Sequence, residues 1–203
     1  MDAVTELYRC LLRDTLALAH SLRDVKVAIM CPAADVRTLQ QFAPGETQVV
    51  AQDGDGLAAA LTSVFAQFAG SGRQSVIAFN SDSPHLPSSV LASAFEMLTM
   101  HDLVVGPTFD GGYYLVGAKC CYLSLFHGDG MGTNSALDAL LARAKRLELS
   151  VGSTNAFYDV DIEEDLSRLA AELRVAPERA PRTAAWLKEW EQTPELHIAA
   201  GDL

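Results

Sequence analysis

Three acidic clusters carry the chemistry that this sequence could do. The first is Ser81-Asp82-Ser83-Pro84, directly after the apolar run SVIAFN at residues 75–80. That run reads as a strand buried on both faces, and in open α/β sheets ligands sit beyond the carboxyl ends of the strands. A carboxylate leaving such a strand can hold a divalent cation or a ribose hydroxyl. Asp82 can equally cap a turn that Pro84 fixes. The second cluster is Asp110-Gly111-Gly112-Tyr113-Tyr114. Asp-Gly-Gly between two strands is a hairpin signal. Two glycines beside an acid and two tyrosines also allow close approach of backbone to a ligand, with an aromatic face and a hydroxyl at hand, as a sugar or nucleotide pocket would need. The third is Asp159-Val160-Asp161-Ile162-Glu163-Glu164-Asp165. Asp161 reads as the cap of a helix starting near Ile162, and the acids after it suit the positive helix end. Capping leaves Asp159 unexplained. Two acids one residue apart on an extended segment point the same way and can share a cation with Asp82.

The elements that must position these clusters alternate along the chain. Apolar periodicity predicts helices over 5–22, 33–42, 57–68, 87–100, 134–147, 163–173 and 181–190. Strands are expected over 25–31, 47–51, 75–80, 103–106, 113–117 and 148–151. The first helix presents Leu7, Leu11, Leu12, Leu16 and Ala19 on one face, with Tyr8 beside them in or near the core. Thr133 is the candidate cap of the helix at 134–147. Trp186 and Trp190, one turn apart, are expected to pack the last helix onto the body. This alternation predicts an α/β fold, a three-layer sandwich with a mostly parallel sheet. With 203 residues, 49% apolar and 20% charged, the chain can bury a sizeable core. The expectation is a single domain over 1–203, with 191–203 as a flexible tail.

Composition excludes several functions. A net charge of -11 repels phosphate backbones and argues against nucleic-acid binding. It leaves room for a nucleotide bridged through a cation. Cys10, Cys31, Cys120 and Cys121 have no zinc spacing and read as reduced, mostly buried thiols. No apolar run would span a bilayer and no signal peptide is expected at the start, which together predict a cytoplasmic protein. His85 reads as an exposed loop histidine, and the remaining histidines form no triad. The Gly128-Asp129-Gly130-Met131-Gly132 run before a helix reads as an anion-binding turn or, with no adjacent Lys or Arg, as a flexible loop.

Together the runs FNSDSPHLPSSVLASAFEML, DLVVGPTFDGGYYLVGAK and DVDIEEDLSRL resemble the bacterial GT-A-type glycosyltransferases linked to arsenosugar biosynthesis. More distantly they resemble phospholactate guanylyltransferases and other nucleotidyltransferases. The resemblance covers residues 5–173 and implies a nucleotide-diphosphosugar transferase fold. It implies that Asp82 is the metal-binding acid after the central strand, with Asp161 and Asp159 as the second metal acids and Mg²⁺ or Mn²⁺ as the ion. It implies that Asp110 is the catalytic acid on the acceptor side, with Ser81, Gly111, Gly112 and Tyr113 contacting substrate. The implied partners are a nucleotide-sugar or nucleotide and a small-molecule acceptor. The resemblance begins at the helix over 5–22. The family's buried first strand and its Gly-, Lys- and Arg-containing phosphate loop have no counterpart before that helix, and Asn80 stands where a D-x-D motif has its first acid. Three readings stay open: a metal-dependent glycosyltransferase, inactive as given without the phosphate loop; a nucleotidyltransferase of the guanylyltransferase type; or a non-catalytic ligand-binding relative that self-associates as a homodimer. A strand at 195–200 (ELHIAA), in its own sheet or a neighbour's, is the candidate to fill the gap.

Overall fold

A computed structural model describes residues 3–69, 75–126 and 135–192. The expected strand at 195–200, Thr133, the glycine run at 128–132 and, of the tail expected over 191–203, residues 193–203 lie outside the described residues, while 191 and 192 end the last helix. The chain forms two compact units, one from residues 1–25, 80–88 and 158–203 and the other from residues 26–79 and 89–157.

Among the described residues, the strands all lie in the larger unit. β1 (Ala28–Cys31) and β2 (Gln48–Ala51) pair in parallel. β3 (Val76–Phe79), β4 (Leu103–Pro107), β5 (Tyr113–Ala118) and β6 (Val151–Ser153) form a second sheet in the order β3-β5-β4-β6. Here β5 is antiparallel to both of its neighbours while β4 and β6 are parallel, so the sheet is mixed. The reason is local. The Asp-Gly-Gly turn is too short for a crossover, so it returns the chain antiparallel and the hairpin reading of that turn holds for the backbone. Among the described residues β1 and β3 each keep one unpaired edge.

Leu103, Val104 and Val105 are buried completely or nearly so, as expected for a central strand. The same unit holds α2 (Val36–Phe42), which lies beside β2, α3 (Gly56–Val64), which lies beside β1, α4 (Ser88–Met100) and α5 (Ala136–Arg146). The helix expected over 57–68 changes winding: α3 passes into a π-helical turn at Phe65–Ala69, where Phe65 stacks on Phe126 with ring centroids 5.0 Å apart. The strand expected over 148–151 begins later. Glu148 takes a left-handed φ of 56° at the end of α5, and the N–H groups of Leu147, Glu148 and Leu149 return to carbonyls of the last helical turn. The chain is therefore free to pair only from Val151.

Tyr114 lies inside this unit rather than in a pocket. Its hydroxyl is 2.7 Å from Thr154 Oγ1 and donates to the Asn155 carbonyl at 3.1 Å. Its ring covers Gly106 so closely that a Cβ there would stand 2.5 Å from Tyr114 Cζ. With the ring pinned at its far end, Gly106→Ala is expected to destabilise the unit by about 2 kcal/mol through overpacking. Chemical denaturation followed by far-ultraviolet circular dichroism checks this. A loss no larger than that of an exposed Gly45→Ala control is the contrary result.

The smaller unit packs α1 (Ala3–His20), α6 (Glu163–Val175) and α7 (Pro181–Gln192) around Leu7, Leu11, Leu166, Leu169, Leu173, Leu187 and Trp190. Trp190 lies in this core with Trp186 packed against it, as expected, and the two rings stack with centroids 6.2 Å apart. Tyr8 keeps 49% of its surface in water, and Asp14 takes its place on the buried face. Of the cysteines, which are all free thiols, only Cys31 is buried, and Cys120 is exposed. Among the described residues no helix is long and apolar enough to cross a membrane.

Candidate functional site

Two of the acidic clusters fall in the smaller unit, where they are laced together. The chain leaving β3 runs from Asn80 to Ser88 beside the segment at 158–161. The Val160 N–H donates to the Asp82 carbonyl at 3.1 Å, and Ser83 Oγ donates to the Tyr158 carbonyl at 3.1 Å. Asn80 Nδ2 donates to Asp159 Oδ2 at 3.3 Å, and Thr15 Oγ1 from α1 donates to the Ser81 carbonyl at 3.1 Å. The ties between the two segments bring residues 75 to 79 positions apart in sequence into one short ladder.

The Asp82 carboxyl is held above the ordinary carboxylate range, first by burial and further by the negative charge of Asp161. The Ser81 hydroxyl, 3.3 Å from Asp82 Oδ1, offsets part of this. A half-buried acid beside a second acid is where a divalent cation gains most, because it removes the repulsion that otherwise favours a proton. Asp161 is not the helix cap. The cap position falls on Ile162, and the acid that reaches back is Asp165, whose Oδ2 accepts from the N–H groups of Asp161 and Ile162, both at 3.3 Å. An acid at the third helical position can satisfy these donors, so the cap residue itself need not be polar.

The residues present fit a small oxygen-bound cation in a limited sense. Among the described residues no three His, Cys, Asp or Glu side chains converge to hold a metal. Asp82 and Asp161 are the interacting pair, and Asp159 is tied to Asn80. Asn80 Oδ1 is buried with no hydrogen-bond partner among the described residues, a neutral oxygen of the kind that water or a hard cation satisfies. One or two carboxylates, completed by water and a ligand's phosphates, are the usual protein share of a Mg²⁺ site.

The Asp110 turn belongs to the larger unit. Thr108 N–H donates to the Gly112 carbonyl at 3.1 Å, Gly111 takes a φ of 92°, and its carbonyl accepts from Leu137 N–H at 3.1 Å near the start of α5. Asp110 Oδ1 accepts a short hydrogen bond from Thr108 Oγ1 and another from Gly112 N–H at 3.1 Å. These two donors, the hydroxyl first, hold the carboxyl below its ordinary range. Asp110 is therefore a fixed anion and a weak base. Tyr113 is half-buried against the sheet core, and burial pushes its phenol up to about 12 despite the nearby Arg143 charge. At neutral pH it offers a neutral hydroxyl. Thr108→Val is expected to move the Asp110 titration upward, which side-chain carboxyl chemical shifts read directly. The sign follows from the lost donor: a hydroxyl that favours the anion is gone. An unchanged midpoint is the contrary result.

Four participants have no role assigned from the sequence. Ser83 and Tyr158 flank the acids and tie the two segments. Phe109, 67% exposed beside Asp110, presents an aromatic face at the turn. His85 is fully buried, not exposed, with its ring centroid 4.5 Å from that of Tyr158. Burial and the charges of Arg179 and Arg168 lower its pKa to about 3, so it is neutral.

Solved structures share this fold. A protein of Desulfovibrio desulfuricans G20, provisionally named a nucleotide-diphospho-sugar transferase, superposes with a TM-score of 0.83 at 26% identity, over 92% of this chain and 82% of its own. The 4-diphosphocytidyl-2C-methyl-D-erythritol synthase of Anaerococcus prevotii DSM 20548 does so at 0.61 and 12% identity, covering 81% and 86%. Rv0371C of Mycobacterium tuberculosis H37Rv, in complex with manganese, gives 0.57 at 19% identity, covering 78% and 85%. The α/β fold is thus that of the nucleotide-diphosphosugar transferases. No curated protein matches the chain in sequence. Residues 15–133, more than half of the 203-residue chain, match the bacterial family described as "uncharacterized protein conserved in bacteria (DUF2064)", and the chain belongs to that family.

Proposed function

We propose that this chain is a metal-dependent transferase acting on a nucleotide-sugar, with Asp82 and Asp161 as the acids that hold Mg²⁺ or Mn²⁺. The observation that carries this reading is the ladder that brings the two acids together: the Val160 N–H, one residue before Asp161, donates to the Asp82 carbonyl at 3.1 Å, and the Asp161 charge helps to hold the Asp82 carboxyl above its ordinary range. The D. desulfuricans relative's name and the manganese complex of the M. tuberculosis protein support the same class. When bound, the cation supplies charge neutralisation at the diphosphate leaving group. The chain's own residues orient the partners. Asp82 and Asp161 fix where the diphosphate rests, Asn80 keeps Asp159 in register, and Ser81 stands beside Asp82. In the larger unit, taken by itself, Asp110 is a weak base held ionised that can accept a hydrogen bond from a hydroxyl, with Gly111, Gly112 and Tyr113 in the same turn. The finer form of the reading, suggested by the sequence resemblance, is an acceptor in arsenosugar biosynthesis.

Calorimetry with UDP-, GDP- and CDP-sugars in the presence of Mn²⁺ tests the proposal. Metal-dependent heat with one donor series is expected; no binding of any donor sinks it. Binding of CTP or GTP with Mn²⁺, and of no sugar nucleotide, turns the reading to nucleotidyl transfer. A second reading, self-association, draws on the unpaired edges of β1 and β3. Sedimentation velocity decides it, and a monomer at all concentrations removes it.

A further inference from the structure

We propose that His85 and Tyr158 are positioning residues that hold the segment bearing Asp159 and Asp161 against the Asp82 loop, so that cation affinity at the Asp82–Asp161 pair depends on a ring contact outside that pair. The proposal rests on the metal reading above for its role, and on geometry within the smaller unit for its existence.

Tyr158 precedes Asp159 directly. The ring of His85 packs against it, centroids 4.5 Å apart and planes tilted by 38°, and the Arg168 guanidinium carbon lies 3.8 Å from its centroid. The stack joins three separate pieces of chain: the loop after β3, the segment before α6, and α6 itself. Each end is anchored again. Arg179 Nη2 donates to the His85 carbonyl, and Arg179 and Arg168 both reach the Glu172 carboxylate, at 3.7 Å and 3.3 Å. Ser83, fully buried, donates to the Tyr158 carbonyl at 3.1 Å, and Leu86 N–H donates to the Ser83 carbonyl at 3.2 Å. The Asp82–Val160 backbone bond is the last rung of this ladder, and Asp161 follows it. A shift of the Tyr158 ring therefore moves the backbone carrying Asp161 relative to Asp82. A planar group at position 85 that packs against the Tyr158 ring is what this contact requires.

The test uses the full chain and Mn²⁺ alone as the probe. His85→Ala, His85→Phe and Ser83→Ala are compared by calorimetric Mn²⁺ affinity and by hydrogen exchange at the Val160 amide, with interior amides of α6 and α7 as the stability reference. We expect His85→Ala to weaken Mn²⁺ binding about tenfold or more, the scale of an outer-shell partner. Val160 exchange should accelerate while the helix amides keep their protection. His85→Phe should restore both readouts to within about twofold, since it keeps the stack. Ser83→Ala, the milder change, should show the same pattern in smaller degree and serves where His85→Ala does not fold. Unchanged Val160 protection and unchanged Mn²⁺ affinity in folded His85→Ala, or in Ser83→Ala, overturn the proposal; so does a His85→Phe variant as impaired as His85→Ala. If the native chain binds no Mn²⁺, the metal reading falls, and the Val160 amide still decides whether the stack positions the segment.

Discussion

Asp82→Asn is expected to lower Mn²⁺ affinity by on the order of a hundredfold or more, because affinity at hard-cation sites follows the number of charged ligands, and to raise the stability of the metal-free protein at neutral pH. The two effects have one cause. The Asp82 carboxyl is pushed upward by burial and by Asp161, so its ionised form is worse in the folded chain than in water. For an acid whose folded pKa is raised, stability is fully present below the unfolded pKa and is lost as pH rises through the folded one. At pH 7 the ionised Asp82 is thus a net cost, and asparagine removes it while keeping size and shape. Thermal unfolding of metal-free native and Asp82→Asn proteins should show the variant melting higher at pH 7, with the gap narrowing as pH falls toward 4. Adding Mn²⁺ should raise the native midpoint and leave the variant's nearly still. A variant that melts lower than the native chain at pH 7 without metal would contradict the electrostatic account. One that binds Mn²⁺ as tightly as the native chain would remove Asp82 from the metal site.

The acids were legible as residue types because each follows a strand or precedes a helix, and chain order alone placed them at element ends. Their partnerships were not. The order of elements could not reveal that Asp159 accepts from Asn80 or that Asp165, not Asp161, reaches back to the helix start, since both depend on register between distant segments. His85 shows the same limit from the other side. A histidine in a Ser-Pro-His-Leu-Pro loop has the composition of an exposed turn, and only the arrival of Tyr158 from 73 positions later buries it. Likewise the tyrosines after Asp-Gly-Gly look alike in sequence, yet strand alternation turns Tyr114 into the core over Gly106 and leaves Tyr113 half-buried. The mixed sheet was available in principle: a short glycine turn between two strands demands an antiparallel return, and that local signal outweighs the alternation of helices and strands.

Asp14→Ala is expected to cost about 3 kcal/mol of stability in the smaller unit, the scale of breaking a buried charge-assisted network. In sequence Asp14 is an acid in the middle of an amphipathic helix with no visible task. In the structure it caps a different helix. Its side chain is fully buried, and Oδ2 accepts from the Thr183 N–H at 2.8 Å and the Thr183 hydroxyl at 2.9 Å, while Oδ1 accepts from the Arg182 N–H and guanidinium, both at 3.3 Å. Pro181 opens α7, and the residue before it is Ala180, which has no side chain to cap with. The carboxylate from α1 therefore satisfies the orphan donors of α7 and sits at its positive end. Removing it strands the buried Thr183 donors. Asp14→Asn keeps one acceptor but turns an amide N–H toward donors, so about 2 kcal/mol is expected from it. Arg182→Gln should cost under about 0.5 kcal/mol, because the guanidinium is half-exposed and its ion pair is screened. The chain has two tryptophans, Trp186 and Trp190, and both lie in α7. Their fluorescence in a urea titration therefore reads the affected helix directly. A loss for Asp14→Ala no larger than that for Arg182→Gln would mean that the ion pair, and not the cap, is what Asp14 contributes.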